Sequence, residues 1–173
     1  AIDLSVDRQQ IITIAYSGFG KPGNALIPPA MGVFHNTDIG EIPYDVAEAN
    51  RLLDEAGYKD SDGDGIREDK EGSPIEYRLM TADTTAYNFR IIQIISDGLV
   101  QIGISAPPLV ESTDSLIARQ VDFDYDLIHW EWYVDADPHF LTTVFTCAET
   151  QDGGWNDTGY CNPEYDKLVE EQA

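Results

Sequence analysis

"PIEYRLMTADTTAYNFRIIQIISDGLVQIGI", residues 74–104, changes its hydrophobic period half-way along. Ile75, Tyr77 and Leu79 alternate with Glu76 and Arg78, so one face of an extended chain is apolar and the other polar. From Tyr87 onward Ile91, Ile95, Leu99 and Ile102 recur at helical spacing. A strand that runs directly into an amphipathic helix is the unit from which α/β sheets are built, and it predicts a sheet with at least part of its pairing parallel.

The flanking segments repeat the alternation. "YDVAEANRLLDEAG" carries Asp45 as N-cap, Glu48 at the third helical position, apolar Val46, Ala49, Leu52, Leu53 and Ala56, and Gly57 as its stop. "ISAPPLVE", residues 104–111, can extend, but its prolines place it at an edge or bulge. "DSLIARQV" reads as a short helix and "YDLIHWEW" as a further strand. "SGFGKPGNALIPPAMGVFHNTDIGEIP", rich in Gly and Pro, reads as a long ordered surface loop. The expectation is one α/β domain over residues 1–173, a mixed sheet flanked by helices. At one end Asp7 and Gln10 form a capping box; at the other Asn162 and Pro163 start a helix with Tyr165, Leu168 and Val169 that reaches Ala173 without a C-cap. Both ends read as cut, which predicts a lobe taken from a larger protein.

Lys and Arg total 10 against 32 Asp and Glu, a formal net charge of -22. Such a surface repels phosphate backbones and anionic lipid, so nucleic acid is excluded as a partner. No run approaches the roughly 20 apolar residues that span a bilayer, and the first residues lack the basic-then-apolar order of a signal peptide. A monomer is expected. The acidity fits either a saline habitat or a calcium-rich one.

"DSDGDGIREDKE", residues 60–71, concentrates that acidity. Asp60, Asp62 and Asp64 occupy positions 1, 3 and 5 of a calcium loop, Gly65 the sharp-turn position, Ile66 the carbonyl position, Glu68 the ninth and Glu71 the twelfth. A hard cation wants six to eight oxygens, and clustered carboxylates without one repel one another. The alternative is a solvated acidic turn. Gly72, Ser73 and Pro74 lead into strand pattern and no exiting helix follows, so a calcium ion here would be a structural staple and not a sensor.

Cys147 and Cys161 are the only cysteines and enclose the loop-like "AETQDGGWNDTGY". They can close as a disulfide, which suits an extracytoplasmic compartment. Reduced thiols are the alternative; zinc is disfavoured because His35, His129 and His139 are scattered and no second cysteine pair exists.

In "YDLIHWEWYVDADPHFLTTVF" a strand ending in Trp130, Trp132 and Tyr133 breaks into Asp135, Asp137 and Pro138. Aromatic surface and carboxylates thus meet at a strand's C-terminal edge, where α/β sheets form ligand crevices. Against this, the tryptophans could be core and Asp137-Pro138 could simply start a helix.

Taken in order, "AIDLSVDRQQII", "YDVAEANRLLDEAGY", "DSDGDGIRE", "IIQIISDGLVQIGI", "YDLIHWEW", "DPHFLTTVF" and "YCNPEYDKLVEEQA" resemble the family 5 extracellular solute-binding proteins, the dipeptide, oligopeptide and nickel receptors of ABC transporters. The resemblance implies one lobe of a two-lobed periplasmic-binding-protein type II fold. It implies a periplasmic or extracellular receptor, free or lipid-anchored, that delivers a peptide or similar small solute to the membrane permease of an ABC importer. It also implies that Asp135, three residues after Trp132, pairs with the free α-amino group of a peptide, with Tyr133 as neighbour and Asp137 as rival anchor because "DADP" is short. Several members carry a disulfide at the positions of Cys147 and Cys161. Two other classes are the alternatives: a calcium-dependent adhesion module, which would want a second acidic loop, and a carboxylate-based hydrolase, for which Asp135 and Asp137 stand too close in sequence to flank a scissile bond.

Overall fold

The computed structural model describes residues 1–133, 135–151 and 153–172. The expected lack of a C-cap at Ala173 lies outside them. The chain separates into two compact units. The first comprises Ala1–Pro22, Ile42–Leu116 and Tyr125–Trp130; the second comprises Gly23–Glu41, Ile117–Asp124 and Glu131–Ala173.

In the first unit helix α1 (Arg8–Ile14) begins at Asp7, whose carboxylate accepts the Gln10 N–H at 2.8 Å. Helix α2 (Val46–Ala56) begins at Asp45, which accepts the Glu48 N–H at 2.9 Å, and ends at Gly57 in the left-handed conformation, φ 92°. Each cap satisfies an amide that the first helical turn leaves without a partner, worth about 1 kcal/mol. Strand β1 (Leu79–Ala82) runs into helix α3 (Ala86–Val100) as the change of period predicts. Strands β2 (Pro108–Glu111) and β3 (Leu127–His129) pair with β1 on either side, both in parallel, in the order β2-β1-β3. Among the described residues, pairing of the opposite sense is confined to isolated bridges from Glu68 to Lys59 and Pro74. Of the prolines of "ISAPPLVE", Pro108 opens the edge strand β2 and Pro107 precedes it.

All four residues of β1 are buried. Its Leu79 joins Ala49 and Leu53 of α2 and Ile92 and Leu99 of α3 in the main core, extended by Ile75, Ile102 and Ile104. Its Met80 and Ala82 join Leu116 on the other face, where Tyr125, Ile128 and Trp130 pack against them. Leu116 belongs to helix α4 (Thr113–Val121). Trp130 is therefore core, one of the two readings its strand position allowed. The segment before α3 is extended for fewer residues than the alternation of Ile75 and Tyr77 suggests: before Leu79 it makes single contacts, Ile75 N–H to the Arg67 carbonyl and Tyr77 N–H to that of Ser105, both at 2.8 Å.

Arg67 holds the main core shut. Its side chain is almost fully buried, and its guanidinium donates to the Ile102 carbonyl at 2.9 Å, to Asp54 Oδ1 at 2.6 Å, to the Tyr58 carbonyl at 2.5 Å and to Asn50 Oδ1 at 2.8 Å. Its own N–H reaches the Gly103 carbonyl at 2.7 Å. Gly103 has φ 74°, and a Cβ there would lie 2.7 Å from the Arg67 Cγ, so both backbone and space require glycine.

The second unit holds the 3-10 segment Pro29–Phe34, helix α5 (His139–Thr143) and helix α6 (Pro163–Gln172). The Gly- and Pro-rich loop is ordered through its own contacts: Asn24 Nδ2 donates to the Ile39 carbonyl at 2.7 Å, and His35 Nδ1 lies 2.7 Å from the Ile27 carbonyl. The α6 start uses Asn162, whose Oδ1 accepts the Glu164 N–H at 2.9 Å, and the Tyr165 hydroxyl donates to the Thr142 carbonyl at 2.6 Å, joining α6 to α5.

Replacing Arg67 by alanine strands several buried acceptors and is expected to lower unfolding free energy by about 3 kcal/mol. Replacing Arg51, which pairs with Glu48 and Glu55 on the exposed side of α2, should cost less than about 1 kcal/mol. Urea titration of the two variants checks the contrast.

Candidate functional site

The acidic loop of the first unit is organised by its own side chains. The Asp60 carboxylate accepts the N–H groups of Gly63 at 2.7 Å and Gly65 at 3.0 Å, and Asp62 and Asp64 accept those of Asp64 and Ile66. Glu68 Oε2 reaches back to the Ser61 N–H at 2.7 Å. Oxygens of Asp60, Asp62 and Glu68 lie within 4.8 Å of one another. The ninth position thus joins the first and third, while Asp64 and Glu71 are not in that group. Glu71 instead follows a turn in which the Asp69 carboxylate accepts its N–H and that of Ser73, which carries position 12 into a different turn.

The second unit contains the residues singled out after β3. Trp132 is half-buried and stacks edge-on with Phe140, ring centroids 6.0 Å apart and planes at 64°, and with Trp155, at 6.1 Å and 74°. Such T-shaped pairs add about 1 kcal/mol each beyond the area they bury. Tyr133 is 88% exposed. Asp135 is exposed, with no hydrogen-bond or ion-pair partner among the described residues. Asp137 is also exposed, but its carboxylate accepts the His139 N–H at 2.9 Å and starts α5. The hydrogen bond to His139 fits the helix-start reading of Asp137; Asp135 makes no such bond among the described residues. The Lys and Arg residues of this unit are Arg119 and Lys167, which pair with Asp124 and Glu171.

Cys147 and Cys161 form a disulfide, Cα atoms 4.5 Å apart. The loop between them is pinned at several points. The buried Asn156 donates from Nδ2 to the Tyr160 carbonyl at 2.8 Å and the Thr146 carbonyl at 3.3 Å, and its Oδ1 accepts the Thr158 N–H and hydroxyl. The Cys147 N–H donates to Asp166 of α6 at 3.0 Å. Asp157 is half-buried beside Gln120, and burial pushes its carboxyl above the ordinary value, opposed by the Gln120 hydrogen bond. Sequence reasoning missed Asn156 and Asp157. Nothing in "WNDTG" distinguishes them from ordinary loop polar residues until the fold buries them.

Residues 1–152 match the sequence profile of the bacterial extracellular solute-binding proteins, family 5 middle region. The chain belongs to that family. The Escherichia coli nickel-binding periplasmic protein is 30% identical over 146 residues, which cover 83% of this chain and 28% of that protein. The oligopeptide-binding protein AppA of Bacillus subtilis is 26% identical over 99% of this chain and 32% of its own length. The AppA structure, solved with a nonapeptide, superposes with a TM-score of 0.84 at 26% identity over 98% of this chain and 34% of that one. The periplasmic oligopeptide-binding component of an oligopeptide ABC transporter from Thermotoga maritima superposes with a TM-score of 0.85 at 25% identity over the same shares. The chain therefore spans about a third of the length of the relatives it matches. Among the described residues no helix is long and apolar enough to cross a membrane.

Two outcomes follow from the disulfide loop. Reducing the bridge should destabilise the protein by about 3 kcal/mol through the loop it closes, read as a lower melting temperature with reductant than without. Asp157 bears a folded pKa above its unfolded one, so its ionisation opposes folding: stability should fall as pH rises from the unfolded value of about 3.8 through the raised folded value, and stay low above it. Asp157→Asn, which resembles the protonated acid, should remove that slope in a pH series of melts.

Proposed function

We propose that this chain is one lobe of an extracytoplasmic solute receptor that captures a peptide or similar small solute and hands it to the permease of an ABC importer. The observation that carries the reading is Asp135: an exposed carboxylate without a partner, in the segment that follows the Trp132 aromatic group, in a unit whose Lys and Arg side chains are engaged elsewhere. An anion of this kind suits the α-ammonium of a peptide, and closure of the site around the ligand strengthens the pair by excluding water. AppA and the nickel-binding relative support the receptor class; periplasmic location, by the same support, is part of the proposal. Tyr133 and Trp132 supply the apolar surface next to the anchor.

In the complete receptor Asp135→Asn should weaken a free-amine peptide by about 2–5 kcal/mol, the cost of burying an unpaired ammonium, and spare its N-acetylated form. Calorimetry with both peptides checks it. Equal losses would make Asp135 a structural residue, and an unchanged affinity would move the anchor off it.

We also propose that Asp60, Asp62 and Glu68 hold one structural calcium ion, with Asp64 and the Ile66 carbonyl as neighbouring oxygen donors. Three carboxylates converge while backbone amides fix the loop around them, an oxygen-only donor set that suits a hard cation. The ion would tie the end of α2 to the start of the Ile75 segment. A chelator should lower the melting temperature and calcium should restore it; indifference of both melting and metal content to the chelator would refute the site.

A further inference from the structure

We propose that Trp155 is a further solute-contacting residue of the same site, a rigid aromatic wall that receives an apolar side chain of the peptide whose ammonium Asp135 holds. The inference rests on the receptor reading above and adds a residue to which that reading gives no role.

Trp155 is 57% exposed, although its neighbours on both sides are fixed. Gly154 passes so close to Glu149 that a Cβ there would lie 2.0 Å from the Glu149 carbonyl oxygen, so only glycine fits. On the other side Asn156 is buried and fully engaged, with its N–H on that same carbonyl at 3.1 Å. The Trp155 N–H donates to Glu149 Oε2 at 2.9 Å, and the disulfide closes the loop outside all of these. The backbone under Trp155 is thus over-determined, while most of its indole is left to water.

Apart from its edge-on contact with Trp132, more than half of this large apolar side chain is left to solvent. Its contact with Trp132 at 74° makes an aromatic corner, with Phe140 behind Trp132. Binding sites draw most of their affinity from rigid aromatic anchors, because these bury much area and lose little rotamer freedom. The ring faces of Trp132 and Trp155 offer apolar surface, which suits an apolar side chain.

The test compares trileucine with triglycine on the complete receptor, by calorimetry, for the wild type, Trp155→Ala, Trp155→Phe and the Cys147→Ser/Cys161→Ser pair. The wild type should prefer trileucine. Trp155→Ala should weaken trileucine by about tenfold and leave triglycine unchanged, Trp155→Phe should keep most of the preference, and the cysteine pair should lose part of it. Equal loss for the two peptides, or none, overturns the role of Trp155 while leaving the receptor reading standing. A wild type that binds neither peptide overturns the peptide reading and this inference with it.

Discussion

The buried guanidinium of Arg67 is the constraint around which the first unit is arranged. Taking a guanidinium out of water is costly unless its donors are met. They are met by Asn50, Asp54 and Tyr58 at one side and by Ile102 at the other. Helix α2 and the turn after α3 are thereby fixed to the chain that leaves the acidic loop, with Gly103 leaving the room the arginine needs. The sheet then inherits its register: once Arg67 takes the Ile75 N–H and Ser105 meets Tyr77, β1 enters beside β2 with Leu79 opposite Pro108.

The second unit uses another strategy. It has little sheet or long helix to bury, and its loops are determined by side chains that replace backbone partners: Asn156 serves the Thr146 and Tyr160 carbonyls, Asp137 starts α5, and a disulfide fixes the ends of the Trp155 loop. A site made of exposed carboxylate and aromatic surface needs this rigidity, because a ligand that must order its own site forfeits affinity to the ordering. The acidity of the chain works in the same direction. Within this unit Arg119 pairs with Asp124 and Lys167 with Glu171, and among the described residues Asp135 has neither as a partner.

What the sequence made legible were features with local causes. Caps at Asp7, Asp45 and Asn162, the stop at Gly57 and the change of period before α3 each depend on neighbours a few residues away, and each stands where periodicity placed it. The disulfide was legible because two cysteines admit one pairing. The roles of Arg67 and Asn156 were not, because their partners come from positions distant in sequence or from a fold that must exist before they are buried. That Trp130 packs against a core likewise became visible only with the second cluster around Met80 and Leu116. In the acidic loop the spacing named both Glu68 and Glu71; Glu68, bridged to Lys59 and Pro74, lies with Asp60 and Asp62, and Glu71 does not.

Asp135 and the aromatic corner of Trp132 and Trp155 are proposed to form one wall of a solute site. A crystal structure of the complete receptor with bound trileucine tests it most directly. The peptide's ammonium is expected within hydrogen-bond distance of the Asp135 carboxylate and a leucine side chain against Trp155. A peptide bound with its ammonium on another carboxylate, and with Trp155 left in solvent, would contradict it.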